Sequence, residues 1–248
     1  MSKRSLTRLG VAVLSLAVLA PSMAPAQAAG EIKIGVITST SGPLASYGIA
    51  YNEGLTWGLS YYTGGKMAIN GQKLVVTSKD DGADPASATA SFKEMVGNGT
   101  KIITGTASSG VALTLAPLAQ QNKVLYISGP AKNDLVTSSA NKYVFRSGNS
   151  STQDLAPLAG IKPISGKKVV LFVEDNAFGA GNIAAAKALM GPKGAKFEEI
   201  KVPTSTSDFT PFAKKAADAA GSYIFIAWSN ALTAGAMLTS LKVQGAFV

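Results

Sequence analysis

The sequence predicts an α/β protein in which short, mostly parallel strands alternate with helices that cover both faces of a sheet. Three observations carry that prediction. Short apolar runs rich in Val and Ile recur along the chain, and longer segments with helical spacing of apolar residues separate them. Asp-Pro and Gly signals mark where several helices begin and end. A polar stretch at residues 147–151 interrupts the alternation and divides the 248 residues into two units.

Turn and cap residues define the elements of the first unit. Asn70-Gly71 predicts a tight hairpin turn between two apolar runs. Asp84 followed by Pro85 is the preferred order for an N-cap and a first helical residue, and Gly97 ends that helix. The predicted elements are a strand at 32–37, a helix at 45–62, a hairpin at 67–77, a helix at 85–97, a strand at 102–103, a helix ending near 121 that Pro117 should kink, and strands at 124–127 and 143–146.

The second unit repeats the alternation with three clear strands. Its predicted elements are a helix from about 152, strands at 169–173, 197–202 and 223–227, and helices at 180–190, from 208 and from 232. The final residues, Phe247-Val248, are apolar and would enter a further strand. Because natural domains rarely end on an unpaired apolar strand, we expect an N-terminal lobe at 29–150 and a partial C-terminal lobe at 151–248.

The N-terminal 28 residues have the features of a secretory signal peptide. Three basic residues precede an apolar run at 9–20, and an Ala-Gln-Ala sequence at 26–28 provides a cleavage site. The alternative, a membrane anchor, needs about 20 apolar residues. We therefore expect a cleaved signal peptide at 1–28 and a periplasmic location, with no N-terminal lipid because the chain has no Cys.

The absence of Cys and His excludes several kinds of site. Nucleophile systems that need histidine or cysteine, thiolate or imidazole metal sites and disulfides are ruled out. Composition alone does not exclude carboxylate acid–base chemistry or an all-carboxylate cation site. Asp80, Asp81 and Asp84 form an acidic cluster, but Asp84 is already assigned as an N-cap. We therefore predict no catalytic residue, metal or cofactor.

The basic charge does not indicate nucleic-acid binding. Lys and Arg number 23 against 14 Asp and Glu, which gives a formal net charge of +9. Part of this charge belongs to the predicted signal peptide, and the remaining lysines are scattered singly or in pairs. Nucleic-acid readers cluster basic residues and rely on Arg, whereas only Arg146 lies beyond the cleavage site. The charge indicates a solvated surface with a mild preference for anionic ligands.

Two motifs resemble enzyme signatures but fit them poorly. Gly179 and Gly181 belong to a partial G-x-G-x-x-A dinucleotide motif, yet residues 174–178 separate them from the preceding strand and include two acidic residues. Two S-x-x-K sequences, at 139–142 and 165–168, have no companion motif. An enzyme with a nucleotide cofactor is therefore the least favoured alternative.

The loop at 106–110, Thr-Ala-Ser-Ser-Gly, is a candidate carboxylate site because it follows a strand and opens a helix. Its hydroxyl groups, its free backbone N–H groups and the positive end of the helix dipole suit an anion. N-capping by Ser108 or Ser109 would use the same residues. A second pattern favours ligand binding, since each unit opens with a strand, a polar loop and then an aromatic residue followed by glycine: Tyr47-Gly48 and Phe178-Gly179.

Ligands in open α/β sheets bind beyond the carboxyl ends of the strands. If the two units face each other, Tyr47, Phe178 and the Ser109 loop surround one cleft. Aromatic walls with one anion anchor suit a small apolar carboxylate such as an amino acid.

Several further segments occur in an order and spacing typical of one known family: IKIGV at 32–36, SGP at 41–43, DD at 80–81 with DP at 84–85, the loop at 105–109, ISGPA at 127–131, EDNAFG at 174–179 and DFTP at 208–211. Together they resemble the periplasmic solute-binding proteins of ABC transporters, specifically the leucine/isoleucine/valine-binding type. The resemblance covers the whole chain beyond the predicted signal peptide.

The resemblance implies a two-lobed periplasmic-binding-protein (flytrap) fold that closes on its ligand about a hinge, with a further stretch of chain completing the second lobe. The ligand-binding residues that it implies are Tyr47 and Phe178 as aromatic walls, Ser108 and Ser109 at the carboxylate, Ala131 and Lys132 near the amino group, and Trp228 and Ser229 in the second lobe.

We expect a non-enzymatic binding protein that captures a branched-chain or other apolar amino acid and, as a monomer, delivers it to the membrane permeases of an ABC importer. Lys132 stands where amino-acid binders usually carry a small hydroxyl residue, and a cation there would repel an ammonium group. An aromatic or other organic acid is therefore the alternative ligand. A ligand sensor of the same fold is the alternative role.

Overall fold

The computed structural model describes residues 30–139, 141–160 and 163–247. The predicted signal peptide lies outside these residues. Within the described ranges, no helix is both long and apolar enough to cross a lipid bilayer. The chain forms two α/β lobes, which confirms the predicted fold class.

Strands and helices alternate as predicted, with helix starts shifted by one to three residues in the second lobe. The strands of the first lobe are β1 Glu31–Thr38, β2 Ala68–Ile69, β3 Gln72–Asp80, β4 Ile102–Gly105, β5 Leu125–Ser128 and β6 Val144–Arg146, and its helices are α1 Ala45–Tyr62, α2 Pro85–Gly97, α3 Ser109–Asn122 and α4 Leu135–Ser138. The second lobe contains α5 Ser151–Leu155, β7 Lys168–Glu174, α6 Ala177–Met190, β8 Lys196–Val202, α7 Thr210–Asp218, β9 Tyr223–Ala227 and α8 Ala234–Val243.

Strand order reverses once in each sheet. The first sheet has the order β2-β3-β1-β4-β5-β6 and is parallel except for the β2–β3 hairpin. The second has the order β8-β7-β9 and is parallel. In each sheet the first long strand, β1 or β7, is central. The chain crosses to one side of this strand to form the next long strand and then to the other side to form the one after it. The loops after β1 and β4, and those after β7 and β9, therefore diverge and leave a crevice at the carboxyl edge of the sheet.

The hairpin turn and the Asp84 cap form as the sequence predicts. Asn70 and Gly71 have φ values of 50° and 77°, and two adjacent positive φ values are typical of the type I′ turn of a two-residue hairpin. The Asp84 carboxylate caps α2 by accepting a hydrogen bond from the Ser87 amide at 2.7 Å. Pro117 lies inside α3, which continues past it to Asn122.

The second sheet is a middle layer with apolar clusters on both faces. Val169, Leu171 and Val173 of β7 belong to one cluster, which includes residues of α6. Val170 and Phe172, which alternate with them, belong to the other cluster with residues of α7 and α8. A strand covered on both faces explains why β7 is a continuous apolar run.

The two outer edges of this sheet differ in composition. Strand β8, KFEEIKV, places charged side chains along its edge, and most of them are exposed. Strand β9, YIFIA, has no charge and is mostly half-buried. Among the described residues, no further strand pairs with the outer edge of either β8 or β9.

Glycines allow two helices to begin directly against the ends of their preceding strands. A Cβ atom added to Gly48 would overlap the carbonyl oxygen of Ser39, which follows β1. One added to Gly179 would overlap the carbonyl oxygen of Glu174, the last residue of β7. The close approach explains the paired aromatic–glycine pattern, because each helix carries its aromatic residue to the carboxyl edge of a sheet.

The Gly48→Ala substitution should lower the free energy of unfolding by about 1–3 kcal/mol, because the new methyl group forces α1 away from β1. Gly54→Ala on the same helix is the matched control. Apart from its chain neighbours and the backbone of its own helix, no described atom lies within 4 Å of a Cβ added there, and alanine favours a helix over glycine by about 0.5–1 kcal/mol. Urea denaturation of both variants measures the difference, and equal midpoints would show that the approach of α1 to β1 is not constrained.

Candidate ligand-binding site

A cleft of about 590 Å³ lies between the carboxyl edges of the two sheets. Most of its wall comes from the loops after β1, β4, β7 and β9, which are the strands at the two points where strand order reverses. The volume is in the range of small-molecule sites. The crevices at the carboxyl edges of the two sheets therefore open into a single cavity.

Seven of the eight ligand-binding residues predicted from sequence line the cleft: Tyr47, Ser108, Ser109, Lys132, Phe178, Trp228 and Ser229. Ala131 does not. Its side chain is fully buried, and its N–H group donates to the Thr106 carbonyl at 3.2 Å, which holds this residue against the end of the first sheet. The placement of Ala131 near the amino group of a ligand stays a prediction.

The N-terminus of α3 faces the cleft with its two serines in different roles. Ser108 is the N-cap, and its hydroxyl oxygen accepts from the Val111 amide at 3.4 Å. Ser109 is the first helical residue, and its buried hydroxyl oxygen accepts from the Asn133 amide at 3.3 Å. Within the described residues, the N–H groups of Ser109 and Gly110 have no acceptor. Capping thus occupies Ser108 and leaves two N–H groups and the helix dipole for an anion.

Aromatic side chains form apolar walls on both sides of the cleft. Tyr47 is 45% exposed on the first lobe, and Phe178 is half-buried on the second. Trp228 is held by the core, since its ring lies 6.1 Å from Phe172 and 5.5 Å from Phe209 between centroids. An apolar ligand group would therefore meet preformed surfaces.

Glu174 is a lining residue that the sequence analysis did not select. Its carboxylate is 2% exposed at the end of β7 and accepts hydrogen bonds from the Ser229 amide at 3.0 Å and the Asn230 amide at 2.9 Å. The Ser229 hydroxyl and the Asn176 side chain also donate to it. No described Lys or Arg forms an ion pair with this carboxylate. It joins the loop after β9 to the end of β7 and gives the second-lobe wall a negative charge.

Asp81 has the same part in the first lobe. It is 1% exposed, and its carboxylate accepts from the Ser39 hydroxyl at 2.6 Å, from the Ala83 amide at 2.8 Å and from the Thr106 hydroxyl. These bonds join the loops after β1, β3 and β4. In the part of the chain that the structure describes, no group of three or more acidic residues could hold a metal ion.

Asp80 holds two of these loops, those after β1 and β3, from the surface. Its carboxylate accepts from the amides of Thr40 at 2.8 Å, Ser41 at 3.3 Å and Gly82 at 2.9 Å. Burial alone would raise its pKa, but the Ser41 hydroxyl and these three amides together lower the pKa below its ordinary value. The resulting stabilisation is present at neutral pH and is lost only as the pH falls through the lowered pKa.

Lys132 does not present an isolated positive charge to the cleft. Its ammonium group forms an ion pair with Asp154 of α5, and the side chains are 35% and 30% exposed. Asp154 also accepts a hydrogen bond from the Asn149 side chain. The repulsion of an ammonium ligand expected from the sequence is therefore reduced by a neighbouring anion.

The glycines of the dinucleotide-like motif lie inside α6, not in a turn before it. Asn176 is the N-cap of this helix, and its side-chain oxygen accepts from the Gly179 amide at 2.9 Å. Gly179 approaches the end of β7, and Gly181 approaches Asn133 of the first lobe. Both glycines therefore have packing roles.

Known proteins share this sequence pattern and fold. The family described as periplasmic binding protein matches residues 31–245. A relative named Leu/Ile/Val-binding protein homolog 3, from Brucella melitensis, is 27% identical over 219 residues, which are 86% of this chain and 59% of the relative. The crystal structure of an ABC-type branched-chain amino acid transporter from Rhodopseudomonas palustris CGA009 is 34% identical with a TM-score of 0.64, covering 87% of this chain and 60% of that one.

Another similar structure is a solute binding protein of an ABC transporter from Rhodopseudomonas palustris BisB5 in complex with 3,4-dihydroxy benzoic acid. It is 29% identical with a TM-score of 0.72, covering 87% of this chain and 59% of that one. The chain thus spans about 60% of the length of the relatives named here. The match along residues 31–245, with two sheets that meet at one cleft, shows that the chain belongs to the periplasmic binding protein family.

Proposed function

We propose that the protein captures a small carboxylate between its lobes in the periplasm and delivers it to the membrane permeases of an ABC importer. The observation that carries the proposal is the position of the cleft, which the loops at both reversals of strand order surround. The family and the relatives are solute-binding proteins rather than enzymes.

The first lobe supplies the carboxylate anchor in this proposal. The N–H groups of Ser109 and Gly110 are available at the positive end of α3. The Ser109 hydroxyl already accepts from Asn133, so its own hydrogen is free to be donated to a ligand oxygen. Three donors at one point suit a carboxylate.

The second lobe favours a ligand that also carries a hydrogen-bond donor. Glu174 brings a negative charge that no described cation neutralises, whereas Lys132 is paired with Asp154. An α-amino acid matches both ends of the cleft, with its carboxylate at α3 and its ammonium group toward Glu174. Tyr47, Phe178 and Trp228 would enclose an apolar side chain, so a branched-chain or other apolar amino acid is the first candidate.

A hydroxylated aromatic acid is the second candidate. The BisB5 protein of similar fold was crystallised with 3,4-dihydroxy benzoic acid. Aromatic walls on both lobes would accept its ring, and a phenolic hydroxyl can donate to a carboxylate as an ammonium group does.

A ligand screen separates these candidates. Thermal unfolding is to be followed with leucine, valine, 3,4-dihydroxybenzoate and, as a control without a carboxylate, leucinol. A ligand at a hundred times its Kd should stabilise the protein by about 2.7 kcal/mol, so the true ligand class raises the Tm. Leucinol should have no effect, and stabilisation by leucinol equal to that by leucine would contradict the carboxylate anchor.

The Ser109→Ala substitution should weaken a carboxylate ligand roughly tenfold or more, since a hydrogen bond to a charged group is worth about 1.5–3 kcal/mol. Ser87→Ala is the matched control, because Ser87 is exposed in the first turn of α2 and does not line the cleft. Calorimetric titration measures both affinities. An unchanged Kd in the Ser109 variant would exclude this hydroxyl as an anchor.

The Asp154→Asn substitution should shift selectivity toward acids without an ammonium group, because it leaves the charge of Lys132 unbalanced beside the cleft. We expect the ratio of Kd for leucine to Kd for 3,4-dihydroxybenzoate to rise several-fold, as a change of about 1 kcal/mol would produce. The double substitution Lys132→Met with Asp154→Asn removes both charges and should restore the original ratio. If the single variant keeps that ratio, the ion pair does not control selectivity.

A further inference from the structure

The segment at residues 131–134, which we term the junction segment, forms hydrogen bonds with the start of the second lobe. The Ser151 amide at the start of α5 donates to the Lys132 carbonyl at 2.7 Å. The following amide, that of Thr152, donates to the Asp134 carboxylate at 3.0 Å. The first helix of the second lobe therefore begins on the junction segment.

Asn133 of this segment is 3% exposed, and its hydrogen bonds reach both lobes. Its N–H group donates to the Ser109 hydroxyl at 3.3 Å, and its side-chain amide donates across the lobes to the Ala177 carbonyl at 2.6 Å. Its side-chain oxygen accepts from the Leu135 amide at 2.9 Å, and its carbonyl accepts from the Arg146 guanidinium at 2.7 Å. The Asn133 carbonyl also accepts from the Val136 amide at 3.2 Å, so five hydrogen bonds fix the buried side chain and its backbone.

Two partners of Asn133, Ser109 and Ala177, line the cleft from opposite lobes. Ser109 is the proposed carboxylate anchor, and Ala177 directly precedes Phe178 in the first turn of α6. The Asn133 side chain packs closely against α6, because a Cβ atom added to Gly181 would lie 2.8 Å from the side-chain nitrogen of Asn133. Asn133 does not line the cleft itself.

We propose that Asn133 is a positioning residue that fixes the aromatic wall at Phe178 relative to the carboxylate anchor at Ser109. The role rests on the proposed function, because it assigns the distance between two ligand-facing groups. Without the hydrogen bond from Asn133 to Ala177, α6 can move relative to α3, and the ligand is less tightly enclosed. The main effect falls on the rate of ligand dissociation, since a ligand enters through the mouth of the cleft and entry does not require this hydrogen bond.

Asn133→Ala removes the side-chain donor, and Gly181→Ala disturbs the same contact from the opposite lobe. The matched control is Gly235→Ala near the start of α8, where no described atom lies within 4 Å of the added Cβ. The chain contains no Cys, so Lys93→Cys on α2 and Ala236→Cys on α8, both exposed, provide unique sites for spin labels. Pulsed electron spin resonance then measures the distance distribution between the lobes without any ligand.

In the ligand-free protein we expect a broader distance distribution for Asn133→Ala and Gly181→Ala, and an unchanged one for Gly235→Ala. Stopped-flow measurements with leucine or 3,4-dihydroxybenzoate, whichever binds in the screen, should show a dissociation rate raised about tenfold and an association rate within about threefold. Both measurements use folded protein, at a temperature where every variant retains its circular dichroism spectrum.

The outcomes separate this proposal from the proposed function. If neither ligand binds the unsubstituted protein but the distribution of spin-label distances broadens in both variants, the proposed function fails. The conclusion that Asn133 fixes one lobe relative to the other is then still supported. If the Tm falls in both variants while the distance distribution remains unchanged, Asn133 is a packing residue only and the proposal is overturned. Where ligand binds, an unchanged dissociation rate in both variants overturns it as well.

Discussion

Two buried carboxylates, one in each lobe, hold together the loops that form the cleft. Asp81 and Glu174 are almost fully inaccessible, and each collects hydrogen bonds from loops that follow different strands. A buried carboxylate is costly unless donors satisfy it, so each acid constrains every loop that reaches it. The loops at a reversal of strand order would otherwise diverge. Their conformation, and with it the position of Ser109, Trp228 and Ser229, follows from this requirement.

The two lobes thus reach the same solution with different residues. In each, a glycine lets a helix start against the end of the first long strand, an aromatic residue beside that glycine lies at the cleft, and a carboxylate joins the neighbouring loops. The lobes differ in charge at the cleft. The first presents the positive end of α3, whereas the second presents Glu174, so a ligand between them experiences a field with a fixed direction.

Local sequence was sufficient for most of the fold and for part of the site. The Asn70-Gly71 hairpin, the Asp84 cap and the aromatic–glycine pairs were predictable because their causes lie within a few residues. Contacts between distant residues were not. Glu174 meets Ser229 across 55 positions, and Lys132 meets Asp154 across 22, so neither partner could be assigned from spacing. The burial of Ala131 was not predictable for the same reason, since its contact with Thr106 depends on the pairing of β4 with β5.

The unlike edges of the second sheet have a consequence for solubility. The charged residues of β8 disfavour edge-to-edge pairing with another molecule, because pairing would have to accommodate and partly desolvate them. The run YIFIA in β9 has high strand propensity and neither charge nor proline, which are the features of segments that nucleate intermolecular sheets. Of the two edges, β9 is therefore the one at which pairing with another molecule meets less opposition, and burial of this edge would disfavour self-association.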